Sequence, residues 1–101
     1  MGMATTKEGA VKKEINKVLK ELGVYYFMPS GNGYGRSAIP DFVCCLPNGR
    51  FLGIEAKADG LQPTAIQQRE LDKIAMTGGL GICVNAENVI GLKALITGFS
   101  Q

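Results

Sequence analysis

Residues 39–57 read IPDFVCCLPNGRFLGIEAK, and the division of this stretch decides the fold. The segments 41–46 (DFVCCL) and 51–58 (FLGIEAKA) are rich in strand-forming residues, and PNGR between them places Asn-Gly at its centre. That arrangement predicts a β-hairpin. On the second strand Leu52, Ile54 and Ala56 are apolar, and so are Phe51 and Gly53 on the opposite side. A strand apolar on both faces is expected in the middle of a sheet, covered twice. A four-residue turn centred on Asn48 and Gly49 pairs residues whose numbers sum to about 97, which sets Asp41 opposite Ala56 and beside Glu55 and Lys57.

Upstream, Val11, Ile15, Val18, Leu19 and Leu22 recur at helical spacing within 5–22, with Thr5 or Thr6 to cap the start and Gly23 to end it. Residues 24–28 (VYYFM) read as a strand stopped by Pro29, and 30–39 (SGNGYGRSAI) as a loop. Downstream, Thr64 caps a helix carrying Leu71, Ile74 and Ala75, closed by Gly78-Gly79. Residues 80–84 (LGICV) form a fourth strand, and Asn85 caps a last helix over 86–96. The predicted order is α-β-β-β-α-β-α in one domain over residues 1–101. The strand–helix–strand stretch from 51 to 84 requires a crossover to a parallel neighbour. The fold class is therefore α/β, a mixed four-stranded sheet flanked by helices.

Composition narrows the chemistry. The 101 residues contain no histidine, which excludes His-based general bases, Ser-His-Asp and Cys-His nucleophiles, and most zinc sites. Two of the three cysteines, Cys44 and Cys45, are adjacent, and strand neighbours point to opposite faces, so they cannot chelate one ion together. The odd count points to reduced thiols. No apolar run is long enough to span a bilayer and no secretory leader is evident, so a cytoplasmic protein is expected. The net charge is only +2, but Lys7, Lys12, Lys13, Lys17 and Lys20 crowd the first twenty residues. They read as a solvated helix face or as phosphate contacts, with Lys12 and Lys13 the candidates for the latter.

What chemistry remains lies on the hairpin. Glu55 and Lys57 are two apart, so they leave the central strand on the same side, a charged pair on an otherwise apolar strand. Asp41 opens the partner strand behind Pro40, which cannot donate to a ladder. Opposed carboxylates repel unless a cation lies between them, and two such oxygen donors suit Mg²⁺. The plainer alternative is an Asp–Lys salt bridge at a strand end. The loop 31–37 lacks the Gly-Lys-Ser/Thr ending of a phosphate-binding P-loop. It reads either as a connector or as a DNA-contacting loop in which Arg36 bonds phosphate and Tyr34 stacks.

Ile39-Pro40-Asp41, the hairpin, and Gly53-Ile54-Glu55-Ala56-Lys57 together resemble the PD-(D/E)XK nuclease superfamily. More narrowly, the chain is similar to the VRR-NUC group of stand-alone, virus-type nucleases. The likeness extends through Glu8, Tyr25-Tyr26-Phe27-Met28-Pro29, Gly33-Tyr34-Gly35-Arg36, Pro63-Thr64-Ala65-Ile66-Gln67 and Gly78-Gly79. It implies a restriction-endonuclease-like core and a metal-dependent, structure-specific DNA endonuclease, encoded by a virus and acting in its host cell. Branched DNA, including four-way Holliday junctions, is the implied substrate. It also implies that Asp41 and Glu55 ligate Mg²⁺ or Mn²⁺ with a carboxylate from the first helix, and that Lys57 acts at the phosphate.

Between the two first-helix candidates, Glu8 lies near the buried stripe, three before Val11 and seven before Ile15, whereas Glu14 sits among Lys12, Lys13 and Lys17. Glu8 is therefore the expected third ligand. Gln67, four before Leu71 and seven before Ile74, is expected near the packing face as a catalytic-site amide that meets Lys57, a water or a phosphate, ahead of Gln68. Two symmetric cuts in a junction call for a two-fold homodimer, joined through the last helix or, second, through 24–28. Three alternatives stay open: a nuclease without branch preference, a DNA-binding module that kept the fold without the catalysis, and a structural α/β protein with ordinary salt bridges that binds neither metal nor DNA.

Overall fold

The computed structural model describes residues 6–30 and 38–101. Helix α1 (Lys7–Glu21) begins on Thr6, whose hydroxyl accepts from the Gly9 N–H at 2.9 Å. The strands are β1 (Tyr25–Phe27), β2 (Phe42–Cys45), β3 (Phe51–Ala56) and β4 (Leu80–Val84), in the spatial order β1-β2-β3-β4. The first two pairings are antiparallel and β3–β4 is parallel, so β3 is an interior strand as its two apolar sides demand. Helix α2 (Ala65–Met76) makes the crossover between β3 and β4, and its start is fixed by a capping box between Thr64 and Gln67.

The hairpin register differs by one residue from the expected pairing. Cys45 faces Phe51 and Val43 faces Gly53, so partner numbers sum to 96. The cause is the turn: Leu46 donates to the Arg50 carbonyl at 2.9 Å, leaving Pro47, Asn48 and Gly49 as a three-residue loop with Gly49 at φ 86°. Loops of that length end on a left-handed residue, which glycine adopts without strain. Extended by one step, this register brings Asp41 across from Glu55 rather than Ala56. Both carboxylates then leave the same face of the sheet.

The last helix also starts later than predicted. Asn85 and Asn88 cap each other, each side-chain oxygen accepting the other's backbone N–H at 2.8 Å. This closed turn leads into a 3₁₀ turn, Val89–Gly91, and only then into α3 (Leu92–Phe99). Asn85 thus caps a turn, because Asn88 offers it a better local partner than a helix N-terminus would.

The two sheet faces are built differently. One carries Phe42, Cys44, Leu52, Ile54, Ala56 and Val84, all buried against Val11, Ile15 and Leu19 of α1 and Leu92 and Ile96 of α3. The other carries Gly53, Gly81, Glu55 and Cys83, and α2 lies over it. There the helix sits so close that a methyl on Gly81 would strike the backbone of Leu71, and one on Gly53 would come within 2.6 Å of Ile74 Cδ1. Among the described residues no helix is long and apolar enough to cross a membrane.

Candidate active site

The candidate site sits where β3 ends, on the glycine-lined face. Glu55 is the single charged residue buried among those described, at 5% exposure. Its Oε2 accepts from Gln67 Nε2 at 3.1 Å, while Gln67 Oε1 accepts the Thr64 N–H at 2.9 Å. One amide therefore closes the N-terminus of α2 and fixes the rotamer of Glu55. Gln67 was expected to meet Lys57, a water or a phosphate; in the structure its donor goes to Glu55. Gln68 instead bonds Asp72 at 2.9 Å, along its own helix.

Asp41 is held by the neighbouring strand, its Oδ2 accepting the Ala56 N–H at 2.8 Å. That bond uses the ladder position left open where Pro40 ends strand pairing. The other oxygen, Oδ1, lies 3.6 Å from Lys12 Nζ, which also stands 3.5 Å from Glu8 Oε2. The α1 carboxylate chosen from helical phase thus does turn toward the acidic pair, with the Lys12 ammonium between. Glu14 is exposed, as is Lys13, which lies about 100° round the helix from Lys12. Tyr34 and Arg36 fall outside the described residues.

Burial is the largest influence on Glu55 and pushes its pKa up to about 7. The Asp41 charge adds to this, then the hydrogen bond that protonated Glu55 donates to Asp41; Lys57 works the other way and Glu8 adds a smaller upward push. Lys57 is half-buried, and its backbone N–H donates to the Val84 carbonyl at 2.9 Å. The upward shift has one physical meaning: burial and the Asp41 charge favour the protonated form of Glu55, and added positive charge would favour its carboxylate.

Among the described residues no three carboxylate or thiol side chains close around a single point tightly enough to enclose an ion. Asp41 and Glu55 do come together. Two adjacent carboxylates, both hard oxygen donors, fit a divalent cation that keeps part of its water shell.

Cys83 is a neighbour that the motif reading passed over. It faces Glu55 across the parallel β3–β4 ladder, and its thiol pKa is raised by partial burial and then by the Glu55 charge. The signal was present in the alternation of 80–84, where Leu80, Ile82 and Val84 point one way and Gly81 and Cys83 the other. Cys44, buried in the main core, has its thiol pushed up to about 12 by desolvation, which makes it unreactive. A groove of about 470 Å³ lined by Phe51, Glu70, Lys73, Ile74 and Thr77 lies at the far end of α2 from Gln67. It is no part of the acidic site.

No family model matches the chain. A protein of Acyrthosiphon pisum secondary endosymbiont phage 1 named "Putative nuclease p44" is 28% identical over 89 residues, or 86% of this chain and 91% of that protein. A solved structure described as "VRR_NUC domain" matches with a TM-score of 0.71 at 28% identity, covering 86% of this chain and 94% of the other.

Proposed function

We propose that this chain, similar in fold and sequence to a VRR-NUC domain, is a divalent-cation-dependent endonuclease that hydrolyses DNA phosphodiester bonds with Asp41, Glu55 and Lys57. The observation that carries this reading is the buried Glu55 carboxyl set against Asp41, with Lys57 close enough to lower its pKa. A binding module has no use for clustered acids facing phosphate. Asp41 and Glu55 would hold Mg²⁺ or Mn²⁺, with Glu8 able to contribute once Lys12 moves. A bound cation supplies Lewis-acid charge at the phosphate and makes water more acidic. Gln67 keeps the Glu55 oxygens pointed at the site. Lys57, on the same face, steadies charge on the phosphoryl oxygens as water attacks in line and the sugar oxygen leaves.

The finer reading is that the substrate is branched, with four-way junctions included, and that a symmetric homodimer makes the paired cuts. The exposed apolar residues of the glycine-lined face support a second copy: Tyr25 and Phe27 lie exposed on the edge strand β1. On the last helix, Leu92 and Ile96 are in the core, which leaves Leu95 and the preceding Ile90 exposed. The β1 strip is therefore the stronger of the two surfaces.

The test is to incubate end-labelled four-way junction and linear duplex of equal length with the protein in Mg²⁺, in Mn²⁺ and in EDTA. Cleavage with either cation and none in EDTA is expected, with the junction cut faster. Equal cutting of both substrates would remove the branch preference alone. Binding without cutting under every condition would leave a DNA-binding module.

A further inference from the structure

Lys12 stands where its charge matters most. Its ammonium lies 3.5 Å from Glu8 and 3.6 Å from Asp41, bridging the two carboxylates that flank the site on the α1 side. Asp41 has only two oxygens, and Oδ2 is already committed to the Ala56 N–H. The oxygen left for a cation is Oδ1, and this is the oxygen that Lys12 faces. Glu55 is buried beside Asp41, and the Lys12 ammonium is the counter-charge that reaches both Glu8 and Asp41.

We propose that Lys12 is an internal counter-ion that occupies the Glu8–Asp41 side of the site at rest and must give up Asp41 Oδ1 before a divalent cation can bind there. The inference rests on the metal-dependent reading above and adds a positioning residue to it. An ammonium and a divalent cation cannot share one carboxylate oxygen at contact distance without strong repulsion. The wild-type site thus gives up cation affinity for a resting state in which its acids are paired. When the cation arrives, Lys12 swings away on its four-carbon stem, Glu8 is released from its i,i+4 partner, and a third carboxylate becomes available. Lys12 differs in this from the exposed Lys13, whose removal takes the same charge from the same helix without touching Asp41.

The experiment is calorimetric titration of Mn²⁺ into wild type, Lys12→Met, Lys12→Arg and Lys13→Met, at a pH where Glu55 is ionised. Lys12→Met is expected to bind Mn²⁺ on the order of tenfold more tightly than wild type. Lys12→Arg, which keeps the bridging charge, should return to within about twofold of wild type, and so should Lys13→Met. Unchanged or weaker binding by Lys12→Met overturns the proposal, as does equal tightening by Lys13→Met. If wild type binds Mn²⁺ with the same affinity as Lys12→Met, only the role of Lys12 fails. If none of the proteins binds it, the metal-dependent reading fails too. Should Lys12→Met not fold, Mg²⁺ titration of wild type labelled with ¹⁵N-lysine decides the matter. The Lys12 ammonium signal must shift with saturation, and a Lys12 signal that ignores Mg²⁺ contradicts the exchange.

Discussion

The two faces of β3 are one residue apart along the chain and opposite in purpose. Leu52, Ile54 and Ala56 point into a core of large, fully buried side chains beneath α1 and α3. Gly53 and Glu55 point the other way, where α2 is drawn close over glycines and the buried group is a carboxylate. The first face holds the fold, since burying apolar area is the chief stabilising term available to a small domain. The second places a carboxyl where water is scarce, and its pKa rises as a consequence. Period-two alternation delivers both from a single strand.

The sharpest way to separate the faces is Lys57→Ala. Cleavage should fall by roughly 10³-fold or more, while melting temperature and DNA affinity stay near wild type, because dispersed contacts carry binding. Single-turnover cutting alongside a gel-shift titration measures both. Near-wild-type cutting would take lysine out of the chemistry. Phe42→Ala acts on the other face. Phe42 is wholly buried, so denaturant unfolding should show a loss of about 3–5 kcal/mol, with the chemistry of surviving folded molecules intact.

Glu55 supplies a pH signature. Its folded pKa of about 7 lies above the usual 4.5, so the folded state binds its proton more tightly than the unfolded one. The stabilisation this gives is complete below pH 4.5 and is lost as pH rises through about 7. In EDTA the wild type should lose up to about 3 kcal/mol across that window, and Glu55→Gln should not. A wild-type curve as flat as that of the variant would mean the carboxyl is hydrated. The smallest effect expected is that of Gly81→Ala. The added methyl meets the Leu71 backbone, and lifting α2 should cost about 1–3 kcal/mol and slow cutting by displacing Gln67 from Glu55. Full activity at full stability would show that α2 has slack.

Much of this was legible before any coordinates. The β-rich runs flanking Asn-Gly marked the hairpin, the alternation of 51–56 marked a central strand, and the phase of α1 set Glu8 nearer the buried stripe than the exposed Glu14. The register lies one residue from that of an even turn centred on Asn-Gly, because Leu46 and Arg50 close around three residues. The late start of α3 was hidden because Asn85 and Asn88 each look like a cap, and only their reciprocal bonds show a separate turn. The partner of Gln67 needed α2 laid over Glu55. The position of Lys12 needed the contact between α1 and Asp41, which joins residues 29 apart in sequence.

The central claim is that Asp41 and Glu55 form one cation site. Melting wild type, Asp41→Asn and Glu55→Gln with Mn²⁺ and with EDTA, at a pH where Glu55 is ionised, tests it directly. In EDTA each variant should melt at or above the wild-type temperature, because repulsion between the acids is relieved. With Mn²⁺ the wild type should gain stability through linkage and each variant should gain less. Equal Mn²⁺-induced shifts in all three proteins would place the ion elsewhere and contradict the account.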